Sequence, residues 1–340
     1  MTVNDRPIFV VGCPRSGTTM LQLMLHAHAR IAIPPETRFL LPVYKNRRDF
    51  GDLTDRENRA RLASFIVDTK GTAFRDLGLD REAVRAEVID GPPTLGSALG
   101  IVFRAYARRF DKPRWGDKRP AYLQNLPTLL RLFPDAQIVH IIRDGRDCVA
   151  SLTETPWHKG GIYQAIAVWN RGMDEGRRAA RTLGSDTYYE LSYERLVQEP
   201  VGELAALCGF LGEEYDPAMT KPNELASVAV PKRKKWHALT HSEVTADRVG
   251  SWSQRLEPWE IGLCEALMGD RLRACGYPVY GDHPASFARR LGYLRPGTKA
   301  GLSRVRRSAM EGFQRLWPAA DVAAMLTTEQ PDTATAARSQ

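Results

Sequence analysis

The stretch Phe9-Val-Val-Gly-Cys-Pro-Arg-Ser-Gly-Thr-Thr-Met20 decides the architecture. Residues 8–11 are apolar and read as a short buried strand, and 18–28 read as the helix that follows it. The order is therefore strand, glycine-bounded loop, helix. Such a loop aims several backbone N–H groups at one spot, and the helix N-terminus adds a partial positive charge. The result is an anion cradle. Working outward, Gln137-Ile-Val-His-Ile-Ile142 reads as a second buried strand, with a helix from about Asp144. Residues 162–183 read as a long helix, 187–191 as a strand, and 194–211 and 258–274 as further helices. Apolar strands alternating with helices imply a parallel sheet covered on both faces. The expected fold is α/β, a P-loop-type three-layer arrangement with a central parallel sheet flanked by helices.

No internal repeat interrupts this pattern. An Arg-rich, mostly helical excursion over about 46–112 leaves the sheet and returns to it. The expected organisation is one α/β domain over 1–285, a basic helical segment over 286–326, and a disordered tail over 327–340. Within the domain, 231–253 reads as a mobile loop around the run Pro-Lys-Arg-Lys-Lys.

The chain has 340 residues, 43% hydrophobic and 26% charged, with a formal charge of +8. That apolar content builds a sizeable core and excludes disorder throughout. No apolar run approaches the roughly 20 residues a membrane-spanning helix needs. The four apolar residues 8–11 are too few for a signal peptide. Five cysteines (13, 148, 208, 264 and 275) show neither metal spacing nor a disulfide framework, so the expected compartment is reducing and cytoplasmic. Between Arg289 and Arg315 stand eight basic residues and one acid, Glu311. The sequence pI of 9.3 therefore describes one segment, and the body is not expected to bind nucleic acid. Leu302, Val305, Ala309, Phe313 and Leu316 recur there at helical spacing, with Arg304, Arg306, Arg307 and Arg315 mostly off that stripe. Such a helix can lie on an anionic membrane, close over an acceptor site, or pack on the domain with solvated arginines.

Gly12 and Gly17 have the spacing of the triphosphate-binding loop G-x-x-x-x-G-K-[ST], and Thr19 takes its hydroxyl place. Thr18 stands where the lysine belongs, and Arg15 appears inside the loop. The lysine answers the charge on the β and γ groups of a triphosphate with Mg²⁺. Its loss argues against ATP or GTP hydrolysis. One fixed guanidinium with two hydroxyls suits a less charged phosphate–sulfate ester.

Cys13-Pro-Arg-Ser-Gly-Thr-Thr19 resembles the 5′-phosphosulfate loop of sulfotransferases that use 3′-phosphoadenosine 5′-phosphosulfate (PAPS). His140-Ile-Ile-Arg-Asp-Gly-Arg-Asp-Cys-Val-Ala-Ser151 resembles the same family's 3′-phosphate motif. The pair, in that order, is specific. The resemblance covers roughly 7–45 and 113–275 and extends to Trp115-Gly-Asp-Lys-Arg-Pro120, Tyr189-Glu-Leu-Ser-Tyr-Glu194 and Arg248-Val-Gly-Ser-Trp252. With Pro35-Glu-Thr-Arg38, the set is most similar to the tyrosylprotein and bacterial branch. The resemblance implies a PAPS-dependent sulfotransferase, with 3′,5′-bisphosphoadenosine (PAP) as product and no metal.

It also implies roles. Pro14, Arg15, Ser16, Gly17, Thr18 and Thr19 would hold the 5′ end of the cofactor, and Arg143 and Ser151 its 3′-phosphate. An arginine ending a buried strand offers bidentate contacts to a phosphate dianion, and Arg146 is a nearby alternative. Tyr193 matches the tyrosine near the adenine, or else is a core aromatic. Arg248 and Trp252 fall in the last cofactor loop. Lys118 and Arg15 would support the transferring group, and Lys118 as a solvated lysine is the plain alternative. Thr155 stands where the tyrosylprotein enzymes carry a further basic residue. The catalytic base expected from the glutamate branch is Glu36, held ionised by Arg38; His158 is its rival. His26 and His28 read as packing or surface residues.

Two other functions fit part of the sequence. A P-loop kinase-like phosphotransferase would need Mg²⁺ and an acid at a strand end, where Asp144 stands. A catalytically dead nucleotide-binding scaffold would not need Glu36, Lys118 and Arg15 together. The acceptor hydroxyl could belong to a small molecule, carbohydrate, lipid or peptide, with 47–114 and the loops near Trp157 and Trp236 shaping its pocket. The sequence does not show an oligomeric state.

Overall fold

Alternate residues of the first strand serve opposite faces of the sheet. In a computed structural model, which describes residues 5–221 and 245–298 together with 302, 305, 306 and 309, every residue of β1 (Ile8–Gly12) is buried. Phe9 and Val11 join one core cluster, and Ile8 and Val10 join another. A central parallel strand needs apolar side chains on both faces, which is why this run does not alternate with polar residues.

Four further strands complete the sheet: β2 (Ile31–Ala32), β3 (Arg114–Lys118), β4 (Gln137–Ile142) and β5 (Tyr188–Ser192). Their order is β2-β3-β1-β4-β5, and every pairing is parallel. The expected α/β layering is present. β1, β4 and β5 match the strands read from the sequence; β2 and β3 do not appear in that reading. β3 is Arg-Trp-Gly-Asp-Lys, with three charged residues, yet all five residues are buried. Arg114 is accommodated because its guanidinium donates to the carbonyls of Arg6 (3.0 Å) and Leu211 (2.7 Å) and to Glu213 (3.1 Å). Buried charge of this kind persists only when paired.

Helices cover both faces. α1 (Thr18–Ala27) follows β1, α2 (Leu40–Lys45) leads into the excursion, and α3 (Arg56–Asp68), α4 (Arg81–Asp90) and α5 (Leu95–Arg108) form it. α6 (Leu126–Leu132), α7 (Gly145–Thr153) and α8 (Gly161–Thr182) come next. The helix expected over 194–211 is two, α9 (Tyr193–Gln198) and α10 (Pro200–Leu211). Pro200 has no N–H to continue the first and occupies the favoured first position of the second. The helix Pro258–Ala274 has its expected bounds. Phe103 stacks on Trp115 at 4.9 Å, and Phe9 meets Trp115 and Tyr122 edge-on at 6.1 and 5.8 Å. Each such buried ring contributes about 1.5–3 kcal/mol. His26 and His28 are buried, so both are packing residues.

Several expectations lie outside the described residues: the basic run at 231–235, Trp236, Phe313, Leu316 and the tail from 327. Of the loop expected over 231–253, the described part begins at 245 and contains the short helix Trp252–Arg255.

Candidate active site

Strand order places a crevice at the carboxyl end of β1. The chain leaves β1 toward β2 and β3 on one side, and β4 and β5 extend the other. Ligands of open α/β sheets bind where strand order reverses, outside the carboxyl ends. The phosphate loop follows β1, Lys118 ends β3, Arg143 follows β4, and Tyr193 follows β5. The sequence-expected residues thus gather on one edge.

In the loop, the Ser16 N–H donates to the Cys13 carbonyl at 3.1 Å. Arg15 and Gly17 both have positive φ, 73° and 98°. Gly17 is the N-cap of α1 and supplies no side-chain cap, so no cap hydroxyl or carboxylate takes up the first-turn N–H groups. Both glycines are fixed by close approach. A Cβ on Gly12 would lie 2.6 Å from Ser16 Oγ and 2.8 Å from the Ile141 carbonyl oxygen, and one on Gly17 would lie 2.6 Å from Tyr193 Cδ2. A non-glycine residue held at positive φ costs about 1–3 kcal/mol, so Arg15 stores strain at the loop.

The second motif closes on the first. Arg143 Nη1 donates to the Arg15 carbonyl (3.2 Å), and Nη2 donates to the Arg248 carbonyl. Its guanidinium lies 4.2 Å from the Tyr193 ring centroid and 3.6 Å from Asp147. Arg15 Nε donates to Ser151 Oγ at 2.9 Å. Arg15 and Arg143 are therefore neighbours. Burial, and then the charge of Arg143, pull the Arg15 pKa below its ordinary value. Arg146, the alternative phosphate ligand, is fully buried and already engaged. It bonds both oxygens of Asp144 (3.1 and 2.8 Å), bonds Glu265 (2.8 Å), and lies 4.0 Å over the Trp252 ring. Asp144 also caps α7 through the Arg146 N–H (2.8 Å). Trp252 thus packs on Arg146, and its N–H donates to Asp147 at 2.8 Å. Arg248 offers its carbonyl, while its side chain is exposed.

A third group forms beside the loop. Lys118 Nζ lies 3.3 Å from Thr19 Oγ1 and 3.5 Å from Glu36 Oε2. Lys118 is buried, while the Glu36 side chain keeps 24% of its surface exposed. Burial lowers the lysine pKa, and Glu36 pulls it back up. A lysine from β3 thus stands beside the hydroxyl of the loop that lacks one. Lys118 is a cation standing against Glu36, and Arg38, two residues on, is exposed. Behind this pair, Asp117 Oδ2 accepts from Thr37 Oγ1 (2.8 Å) and Tyr122 OH (2.6 Å), and Oδ1 accepts from the Lys118 N–H (2.8 Å). Burial pushes the Asp117 pKa up to about 6 against those donors. His158 lies in the α7–α8 turn, with Nε2 2.9 Å from the Gly161 carbonyl. Thr155 Oγ1 donates to the Leu152 carbonyl at the end of α7.

The model of the sulfotransferase family matches residues 7–217. The chain belongs to the sulfotransferase family. Among its curated relatives, this chain is 23% identical to a protein-tyrosine sulfotransferase of Drosophila melanogaster over 82% of its length. It spans 52% of that relative, about half. It is 27% identical to protein-tyrosine sulfotransferase A of Caenorhabditis elegans, covering 84% of this chain and 67% of the other. Two solved structures share its fold. One is the sulfotransferase domain of a Synechococcus olefin synthase, with TM-score 0.56 and 24% identity over 82% of this chain and 98% of that one. The other is the sulfotransferase domain of the curacin biosynthetic pathway, with TM-score 0.55 and 20% identity over 81% and 99%.

Two residues of this site escaped the sequence reading. Asp147 accepts from the Gly250 N–H (3.0 Å), Ser251 Oγ (3.0 Å) and the Trp252 N–H, and so fastens the last loop to the second motif. Its i,i+4 spacing from Arg143 was the available signal. Asp117 lay inside a quoted motif, but nothing local announces its bond to Thr37.

Proposed function

We propose that this chain moves a sulfonate group from PAPS to a hydroxyl of a peptide or protein, with Glu36 as general base. The observation that carries the reading is the meeting of a carboxylate, an ammonium and a phosphate-loop hydroxyl, Glu36–Lys118–Thr19, at the carboxyl edge of β1 and β3. The chemistry of the site suits PAPS. Ser16 Oγ and Arg143 Nε are buried and have no partner among the described residues. Both are donors suited to phosphate oxygens, and buried donors are rarely left unpaired. Arg143, Ser151 and Arg15 would hold the phosphates, with Tyr193 beside them.

Bound PAPS supplies an activated sulfonate, whose S–O bond to the 5′-phosphate breaks as the acceptor oxygen bonds to sulfur. Glu36 takes the acceptor's hydroxyl proton on a carboxylate oxygen. Lys118 holds positive charge beside that carboxylate and beside Thr19, where charge builds as the transfer proceeds. The names of the relatives support a peptide or protein acceptor. The kinase-like reading loses its acid, because both Asp144 oxygens are bound to Arg146. The inactive-scaffold reading does not account for the contact between Glu36 and Lys118. The cysteines are free thiols, and that supports a reducing compartment.

Glu36→Gln keeps the shape and removes the basicity. It should lower kcat at least about a hundredfold, measured with labelled PAPS and tyrosine-containing peptides, while PAP affinity by calorimetry stays within a few-fold. Normal turnover in Glu36→Gln together with loss in His158→Ala would transfer the base to His158.

A further inference from the structure

We propose that the C-terminal segment docks this protein on the surface of an anionic lipid bilayer. Among the described residues, five of the eight large apolar side chains that stand exposed lie in this segment: Phe287 (76%), Leu291 (45%), Leu294 (58%), Leu302 (70%) and Val305 (68%). Phe287, Leu291, Leu294 and Thr298 recur at steps of four, three and four residues, which is one face of a helix. Residues Phe287–Gly292 are helical, as are 294–298, 302, 305, 306 and 309. The turn at Tyr293 keeps right-handed helical angles (φ −77°, ψ −20°), and its carbonyl accepts from the Gly297 N–H at 2.8 Å. The helical phase therefore carries across it.

The opposite face is held on the body. Arg289 lies 4.5 Å over the Trp259 ring, and Asn170 Nδ2 donates to Tyr293 OH at 3.1 Å. A Cβ on Gly292 would stand 2.8 Å from the Tyr163 ring. Those contacts turn the apolar stripe outward. A stripe of this length is more than scattered surface leucines, and such patches mark interaction sites.

Charge selects the occupant. Among the described residues beside the stripe, Arg290, Arg295 and Arg306 are basic and none is acidic. A second copy of the same face would set arginine against arginine, which disfavours self-pairing. A bilayer with anionic headgroups answers both features at once. Apolar side chains enter the headgroup–acyl boundary, and arginines beside them meet the negative surface. Among the described residues, no helix is long and apolar enough to cross a membrane. This inference does not rest on the sulfonate chemistry.

The full chain is sedimented with phosphatidylcholine vesicles, with and without phosphatidylserine, at low and high salt. Binding should be at least roughly tenfold tighter with phosphatidylserine and should weaken as salt screens the arginines. The triple variant Phe287→Ser, Leu291→Ser, Leu294→Ser should lose about tenfold of that binding, since each apolar side chain contributes through its buried area. PAP affinity and melting temperature, unchanged in the variant, would report an intact body. Equal binding to both vesicles, no binding, or a triple variant that binds like the wild type would overturn the proposal. So would concentration-dependent dimerisation in light scattering that the triple variant abolishes, which would assign the stripe to a second copy.

Discussion

Asp117 is a carboxylate that touches neither expected ligand group, yet it joins the two segments that carry the proposed chemistry. Thr37, which donates to it, follows Glu36; Lys118, whose N–H donates to it, is the next residue of β3. One buried charge thus fixes the chain on both sides of the Glu36–Lys118 pair. Misplacing catalytic groups by even about 1 Å can cost a hundredfold in rate. Asp117→Asn keeps the size but turns one of the two accepting oxygens into a donor, facing either the Lys118 N–H or the two hydroxyls. It should lower kcat roughly 10- to 100-fold with PAP affinity within a few-fold, because the phosphate contacts lie elsewhere. A merely structural role would lower melting temperature and leave kcat per folded molecule intact, and that outcome would remove Asp117 from the positioning of the site. Glu36 and Lys118 were legible in the sequence because each lies in a short motif. The task of Asp117 was not, because its partner Thr37 is 80 residues away.

At the scale of elements, what the sequence showed and what it hid have one physical origin. β1 is a continuous apolar run, and β4 is apolar but for Gln137 and His140; both are buried, so hydropathy finds them. β3 is as buried but has three charged residues, each answered by a partner from another part of the chain. A pattern method cannot see a charge that only tertiary contacts neutralise. The loop 248–252 shows the converse. Its resemblance located it, but its anchor is Asp147 on α7, which takes three donors from it. Hydrogen bonds to a charged acceptor contribute about 1.5–3 kcal/mol each. Asp147→Ala should release the loop, and with it the Arg248 carbonyl that bonds Arg143. PAP affinity should fall about tenfold or more, and amide hydrogen exchange over 248–252 should quicken. Unchanged affinity with fast exchange would mean that the loop does not hold the cofactor.

For the molecule as a whole, buried titratable groups set the response to acid, and they pull in opposite directions. His26 and His140 are buried, and desolvation, which dominates both shifts, lowers their pKa from 6.5 to about 3. Below about pH 6.5 the unfolded chain takes up two protons that the native protein refuses, so stability falls as pH falls. Asp117 acts the other way. Its carboxyl is raised from 3.8 to about 6, so between those values the native protein holds a proton that the unfolded chain does not, and stability rises as pH falls. Each proton changes stability by about 1.4 kcal/mol per pH unit. Two histidines outweigh one carboxylate. The histidines also begin at the higher pH, before Asp117 titrates. From about pH 7 to about pH 5 the net loss should be about 2–3 kcal/mol, read as a falling midpoint in urea at constant ionic strength. The salt bridges on the exposed surface contribute little over this window, because solvent screens them. A midpoint that held or rose across the window would mean that the two histidines are not kept neutral in the folded protein. It would also mean that the packing of α1 against β2, where His26 Nδ1 accepts from the Ile33 N–H at 3.1 Å, does not depend on an uncharged ring.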